Sequence, residues 1–291
     1  MSHYNIDISN PDKIIFPKEK VNKKELVEYY DKISKYMLKH VKNRPITMER
    51  YPDGIDKKGF YMKDIPDYFP DWIERVTADK KEDGTYTLVL CQNKDTLKYL
   101  ANQACITPHI WLCEKDQIKK PDKMVFDLDP SSDDLELVKE AALALKEVIE
   151  ESNLSAFVMT TGSRGLHVIV PIKAEYSFDE VRNIAVEMAQ KVVDDQPNKF
   201  TLEQRKNKRG DKVFLDTLRN AYGQTSVPPY GLRPVKDASI ATPLTWDELR
   251  DNPLEPRKYT IHNIFKRLAQ IEDPWLNIHR YKSSLSHLVS E

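Results

Sequence analysis

The amino-acid sequence predicts a mixed α/β (α+β) fold, and three stretches carry that expectation. Lys123 to Pro130 reads Lys-Met-Val-Phe-Asp-Leu-Asp-Pro, a β-forming apolar run that ends in two carboxylates and a proline. Ala156 to Pro171 sets two β-rich runs on either side of Gly162-Ser163-Arg164-Gly165, the pattern of two strands joined by a tight turn. Around them, Leu135, Val138, Ala142, Leu145 and Ile149, then Val181, Ile184, Ala185, Met188, Ala189 and Val192, recur at helical spacing. Each helix has one apolar face to bury, and the strands supply the surface.

Composition narrows the function classes. At 291 residues the chain can form one large domain or two packed subdomains. Its 45 basic residues nearly balance its 46 acidic ones, so any nucleic-acid surface has to come from local clusters of Lys and Arg. Cys91, Cys105 and Cys113 lack Cys-x-x-Cys spacing, which suggests neither a zinc site nor a disulfide framework and fits a reduced, cytoplasmic setting. No apolar run reaches membrane-spanning length, and the first residues lack the pattern of a secretion signal, so no membrane partner is expected.

Taken in order, Asn10-Pro11-Asp12-Lys13 is a turn before Ile14-Ile15-Phe16, and a helix follows from Asn22, its cap, with Leu26, Tyr30, Ile33, Met37 and Val41 on one face. Lys13, Lys18, Lys20, Lys23 and Lys24 surround the entry to that helix, where amides and dipole favour an anion, although a lysine run also reads as a solvated loop. Ile46 to Tyr51 and Thr85 to Leu90 read as strands, and Asp95 to Gln103 as a short helix. Phe60, Tyr61, Tyr68, Phe69 and Trp72 lie near Lys57, Lys58 and Lys63, so they suit either stacking on bases or core packing. His109, inside the apolar run Ile106 to Leu112, reads as a core histidine.

The chemistry gathers further along. Alternation along a strand puts Asp127 and Asp129 on one face, with Phe126 and Leu128 on the other. Like charges that close favour a cation between them, and a hard divalent ion such as Mg²⁺ or Mn²⁺ takes oxygen ligands. Pro130 should end the strand. Ser131 to Asp134 caps one helix, and Ser177 to Glu180 forms a capping box for the next. In the turn, Gly162 and Gly165 would let amides approach a phosphate chain, Ser163 adds a hydroxyl, Arg164 a charge, and His167 follows. Val213-Phe214-Leu215-Asp216 is a second strand ending in a carboxylate, and Asp216 completes a three-carboxylate set if that strand lies beside the first. The basic loop Arg205 to Lys212 suits a nucleic-acid backbone, and Val227 to Lys236 is a proline-rich loop carrying Arg233 and Lys236.

These segments, Phe-Asp-Leu-Asp-Pro, Thr-Gly-Ser-Arg-Gly-Leu-His-Val, and Phe-Leu-Asp with its following Arg-Asn and Ser-Val-Pro-Pro-Tyr-Gly-Leu-Arg, resemble the archaeo-eukaryotic primase superfamily. More closely, nearly the whole chain resembles the polymerase domain of the prokaryotic non-homologous end-joining ligase. The resemblance implies a primase-polymerase fold, with an antiparallel or mixed catalytic sheet like that of RNA-recognition motifs, packed against an N-terminal α/β subdomain and flanking helices. It implies one domain, 1–291, with an end-binding part at 1–112, a catalytic core at 113–250 and a helical closing segment at 251–291. Asp127, Asp129 and Asp216 match the carboxylates that hold two metal ions, usually Mn²⁺, otherwise Mg²⁺. Ser163, Arg164, His167, His109 and Arg233 match nucleotide contacts, and Lys236 is added for the phosphate tail. Asn10, Lys13 and Lys23 match the pocket for the 5′-phosphate of a downstream strand, and Phe60 and Tyr61 match aromatics stacked on the template. Two positions depart from the pattern. Glu49 stands where some relatives have a basic contact, which leaves Arg50 as substitute, and Arg219, also expected at the nucleotide, stands where some have glutamine.

The implied function is template-directed nucleotidyl transfer that extends ends and fills gaps at DNA double-strand breaks. Its substrates would be nucleoside triphosphates, ribonucleotides preferred, on ends or on gapped DNA with a 5′-phosphate, with a separate ligase and a Ku-like protein as partners. Two other readings start from the same residues. A haloacid-dehalogenase-type phosphatase would use Asp127 as nucleophile, and a non-catalytic end-binding module would keep the carboxylates as vestiges.

Overall fold

The computed structural model describes residues 4–289. They form two compact units: residues up to Asp116 with Thr225–Ala241 and Tyr259–Ile271, and Gln117–Gln224 with Thr242–Lys258 and the residues from Glu272 on. This division interleaves segments that the sequence reading keeps consecutive, because the chain returns to the first unit after Gln224 and again after Lys258. Among the described residues from 251 on, read as a helical closing segment, Asp251 ends the helix Trp246–Asp251, and one short helix, Ile264–Leu268, and a 3₁₀ turn, Ile278–Tyr281, follow. Pro253, Pro256 and Pro274 limit helix length there.

In the first unit, a hairpin of β1 (Ile14–Phe16) and β2 (Val21–Asn22) leads into α1 (Lys23–Val41). Asn22 caps α1 as expected: its side chain accepts from the Glu25 amide, and the Glu25 carboxylate accepts from the Asn22 amide. A sheet follows from β3 (Pro45–Arg50), β4 (Phe60–Met62), β5 (Arg75–Asp79), β6 (Thr85–Leu90) and, after α2 (Lys94–Asn102), β7 (Cys105–Trp111). All its pairings are antiparallel, and the late strand Thr225–Ser226 adds an edge beside β7. Leu26, Ile33 and Met37 of α1 and Leu97 and Leu100 of α2 bury against Ile46, Met48, Val89, Ile106 and Ile110 of the sheet.

The second unit is built on a six-stranded sheet of β8 (Lys123–Asp129), β9 (Phe157–Thr160), β10 (Leu166–Pro171), β11 (Phe200–Thr201), β12 (Val213–Asp216) and the strand Thr242–Leu244. Across it the order is β11, β12, β8, β10, β9 and Thr242–Leu244, antiparallel except for β11 with β12. α3 (Leu135–Glu151) and α4 (Phe178–Asp195) cover one face. The caps are those expected: Asp134 accepts from the amides of Glu136 and Leu137, and Ser177 with Glu180 forms a capping box. Met124, Phe126, Leu128, Leu166, Val168, Val213 and Leu215 point at the helices. The period-2 alternation therefore turns Asp127, Asp129, His167 and Asp216 to the opposite face.

Candidate active site

Register decides what meets on that face. His167 is the cross-strand partner of Asp127 from β10, and Asp216 is its partner from β12. His167, Asp127 and Asp216 thus form one row across three strands, with Asp129 two residues along β8. The condition set by the sequence, that the strand of Asp216 lie beside that of Asp127, is met. Pro130 ends β8 as expected.

Asp127 is held from two sides. His167 Nε2 stands 3.3 Å from Oδ1. Arg219 donates from Nε and Nη2 to Oδ2, at 3.1 and 3.0 Å. The next residue, Asn220, is fully buried and binds Val125 like a neighbouring strand, its Oδ1 accepting from the Val125 amide and its Nδ2 donating to the Val125 carbonyl and to Thr217 O. Val125 lies two residues before Asp127, so Asn220 anchors the strand that presents the carboxylate. The Leu218 amide donates to Asp216 Oδ1 at 2.7 Å. The sequence places Asn220 in the Arg-Asn pair that follows the second carboxylate strand but assigns it no role.

Burial opposes ionisation of Asp127, yet the His167 imidazole and the Arg219 guanidinium outweigh it and hold the carboxyl well below the usual range. Burial raises Asp129 and Asp216, and the Asp127 charge adds to both. A depressed folded-state pKa stabilises the protein above the unfolded value of about 3.9, and that contribution drains away as pH falls further. The stability gap between wild type and Asp127→Asn is therefore expected to narrow below about pH 4, by at most ~1.4 kcal/mol per pH unit, in urea titrations at successive pH values. A gap that stays constant down to about pH 3 would contradict the pairing.

The turn after β9 departs from expectation. Gly162 adopts the left-handed region, φ +66°, but the amides of Ser163 and Gly165 do not face outward as a phosphate cradle. Both donate to Thr161 Oγ1 at 3.3 Å, and that hydroxyl donates to Gly165 O. Thr161, which sequence reading missed, thus takes up two amides expected for a ligand. Side chains beside the turn offer an anion further chemistry. Arg164 donates to the carbonyls of Pro130 and Ser132, and Arg257 donates to Ser163 O, so both cations stay near the turn. A cavity of about 570 Å³ opens beside them, lined among others by Ser132, Ser163, Arg164, Arg257 and Lys258. In the basic loop, Arg209 is buried over the Phe214 ring, 3.8 Å from its centroid, and lowers the Asp129 pKa against the larger effect of burial.

The donor set suits a divalent cation: three hard oxygen donors on adjacent strands, two of them raised by burial and mutual repulsion. Among the described residues, no three His, Cys, Asp or Glu converge closely enough to hold an ion as they stand. The Arg219 fork occupies Asp127 Oδ2.

The remaining expected residues lie in the first unit. Lys23 is buried, donates to Ser9 Oγ at 3.0 Å, and has its pKa lowered by burial and by Lys13. Its amide donates to Lys13 O, and the Lys13 amide donates to Asn10 O, so the turn gathers Asn10, Lys13 and Lys23 at the start of α1. Lys13 Nζ pairs with Asp53 at 2.8 Å. The aromatics divide: Phe69 joins the core, while Phe60, Tyr61 and Tyr68 stay exposed, Tyr61 at 62%. His109 Nε2 lies 2.8 Å from Glu49 Oε2, both side chains buried, and the Tyr61 ring stands 5.5 Å from the imidazole. Burial and Glu49 push the Tyr61 hydroxyl up to about 12. Burial opposes ionisation of Glu49, but the bond and charge of His109, with Arg233 adding, bring its pKa below the ordinary value. Arg50 is spent on the protein, donating to Gln103 O, Gln103 Oε1 and the Tyr68 hydroxyl. Lys236 is exposed and Arg233 half-buried. All three cysteines are free and buried, and among the described residues no helix is long and apolar enough to cross a membrane.

Residues 22–275 match the family model described as LigD, primase-polymerase domain. The chain belongs to that family. The LigD primase-polymerase domain is a nucleotidyltransferase with a polymerase role in non-homologous end joining, and a metal-dependent enzyme in general terms. The chain is 30% identical over 280 residues to the bifunctional non-homologous end joining protein LigD of Bacillus subtilis, covering 96% of this chain and 45% of that protein. It is 31% identical over 271 residues to the multifunctional LigD of Mycolicibacterium smegmatis, covering 92% and 35%. The chain thus spans less than half the length of either relative. Among solved structures it is similar to the polymerase domain of Mycobacterium tuberculosis ligase D in complex with DNA, with a TM-score of 0.88, 27% identity, and coverage of 95% and 98% of the two chains. The mixed α/β architecture expected from sequence is that of this LigD domain.

Proposed function

We propose that this LigD-type domain extends and fills gapped DNA ends during break repair, joining nucleoside triphosphates, ribonucleotides in preference, to a primer 3′-hydroxyl. The observation that carries the reading is the row His167, Asp127, Asp216, with Asp129 beside it on the same sheet face. Asp127, Asp129 and Asp216 would hold two divalent ions, Mn²⁺ or Mg²⁺, which when bound supply Lewis-acid activation of the hydroxyl and neutralise charge at the transferring phosphorus. His167 orients Asp127, and Asn220 fixes the strand beneath it. Ser163 and Arg164, with Arg257 and Lys258 in the adjoining cavity, offer a hydroxyl and cations to a triphosphate tail. His109, Arg219, Arg233 and Lys236 are proposed as further nucleotide contacts. For Arg50, whose donors are engaged, a nucleotide contact would require releasing Gln103 and Tyr68.

Asn10, Lys13 and Lys23 would grip the 5′-phosphate of the downstream strand, and Phe60 and Tyr61 would stack on the template. Burial and the nearby Lys13 both lower the Lys23 pKa, a strain that a bound anion would relieve. Double-strand ends and gaps are the substrates, and a separate ligase and a Ku-like protein are the proposed partners in the cytoplasm. The phosphatase alternative calls for a doubly wound sheet around Asp127, whereas both neighbours of β8 are antiparallel.

The test is extension of a gapped duplex in Mn²⁺, with and without the downstream 5′-phosphate. The phosphorylated gap is expected to bind about tenfold or more tightly, in line with a charge-assisted hydrogen bond, and Lys23→Ala to erase that preference while synthesis at saturating DNA persists. Binding without incorporation of any nucleoside triphosphate would leave only an end-binding module.

A further inference from the structure

The fork of Arg219 on Asp127 is the feature the polymerase reading leaves unexplained. Arg219 sits in the 3₁₀ turn Leu218–Asn220 directly after β12. Its two donors share one carboxylate oxygen, Oδ2, while His167 faces the other. The Arg219 side chain is 38% exposed against 13% for Asp127, so the guanidinium covers the carboxylate from the open side of the sheet. Its backbone has little freedom, since the neighbouring Asn220 is buried and bound to both polar groups of Val125. The guanidinium is thus held where it neutralises one of three adjacent carboxylates.

We propose that Arg219 is a placeholder cation: it occupies Asp127 Oδ2 until a nucleotide's phosphates draw its guanidinium away, which opens that oxygen to a divalent ion. The inference rests on the proposed metal-and-nucleotide site. Guanidinium pairs as well with phosphate as with carboxylate, so the exchange of partners is nearly balanced. Leaving Asp127 with His167 alone is not balanced, because Asp129 and Asp216 stand beside it on the same sheet face. Departure of Arg219 and entry of the ion are therefore one coupled event, and nucleotide and ion promote each other's binding. As a positioning residue, Arg219 would keep the site ordered and closed to adventitious cations between turnovers.

Opposite shifts distinguish this role from a merely structural one. Free Mn²⁺ is measured by electron paramagnetic resonance while wild type, Arg219→Gln and Arg219→Lys are titrated without nucleotide. Nucleotide affinity is measured separately, with a fluorescent non-hydrolysable triphosphate at saturating Mn²⁺. Arg219→Gln is expected to bind Mn²⁺ about tenfold more tightly, within the usual range of couplings between sites, and the nucleotide more weakly. Arg219→Lys, which keeps the charge and loses the fork, should fall between. Unchanged or weaker Mn²⁺ binding in Arg219→Gln would overturn the placeholder role, as would tighter nucleotide binding. Asp216→Asn separates the two levels. If it abolishes Mn²⁺ binding while Arg219→Gln fails to tighten it, only the placeholder is wrong; if Mn²⁺ binding ignores Asp216, the metal site itself falls and the placeholder with it.

Discussion

Asp127→Asn is expected to lose nucleotide incorporation by a factor of ~10²–10³ or more while remaining folded at neutral pH, since removal of one preorganised electrostatic group at a reacting centre costs that much. The change keeps the shape of the side chain and an oxygen for His167 or Arg219, but it removes the charge around which the row is built. Asp127 is the only member of the set paired across the sheet with both His167 and Asp216, so Asp129 and Asp216 cannot substitute from their own strands. Primer extension in Mn²⁺, beside a thermal melt of each variant, checks both halves. Synthesis within about tenfold of wild type would remove Asp127 from the reaction, because that is one decade, about 1.4 kcal/mol, in transition-state stabilisation.

The second large effect is on stability. A Cβ at Gly165 would lie 2.0 Å from Leu128 O and 3.1 Å from the Leu128 carbonyl carbon. Both are backbone atoms of β8, one residue before Asp129, so no side chain can turn aside to relieve the clash. Either the turn lifts, breaking the bonds of Thr161 to Ser163 and Gly165, or the end of β8 moves with its carboxylate. Gly165→Ala should therefore destabilise by about 3 kcal/mol or more, the upper end for overpacking. Gly210→Ala is the control, with open space around the added atom but φ +58°, so it should cost only about 1 kcal/mol of backbone strain. Urea midpoints at neutral pH measure both. Equal small losses would mean that the turn and strand can separate freely.

Much of the local structure was legible in the chain. The β8 run alternated Met124, Phe126 and Leu128 against Asp127 and Asp129, and burial followed that alternation. Asn22 and Ser177, each followed three residues on by glutamate, became capping boxes. Other features were not legible, and the reason is the same each time. Whether Gly162 to Gly165 offers amides to a ligand depends on the Thr161 hydroxyl, which competes for them within the turn. Arg50 reads as a free cation until the fold brings Gln103 and Tyr68 to it. Phe60 and Phe69 have the same chemistry in sequence, yet one is exposed and the other in the core.

By itself the sequence determined strands β3, β6, β8, β9, β10 and β12, helices α1 to α4 with the caps of α1, α3 and α4, and which face of β8 would carry charge. Those outcomes follow from backbone sterics and side-chain alternation acting over a few residues. Only the tertiary structure decided that Asp216 and His167 flank Asp127 in one row, and that Arg219 lies on that carboxylate. Cross-strand register and ion pairing join residues far apart in the chain, and their partners are chosen by which pairing buries the apolar faces together.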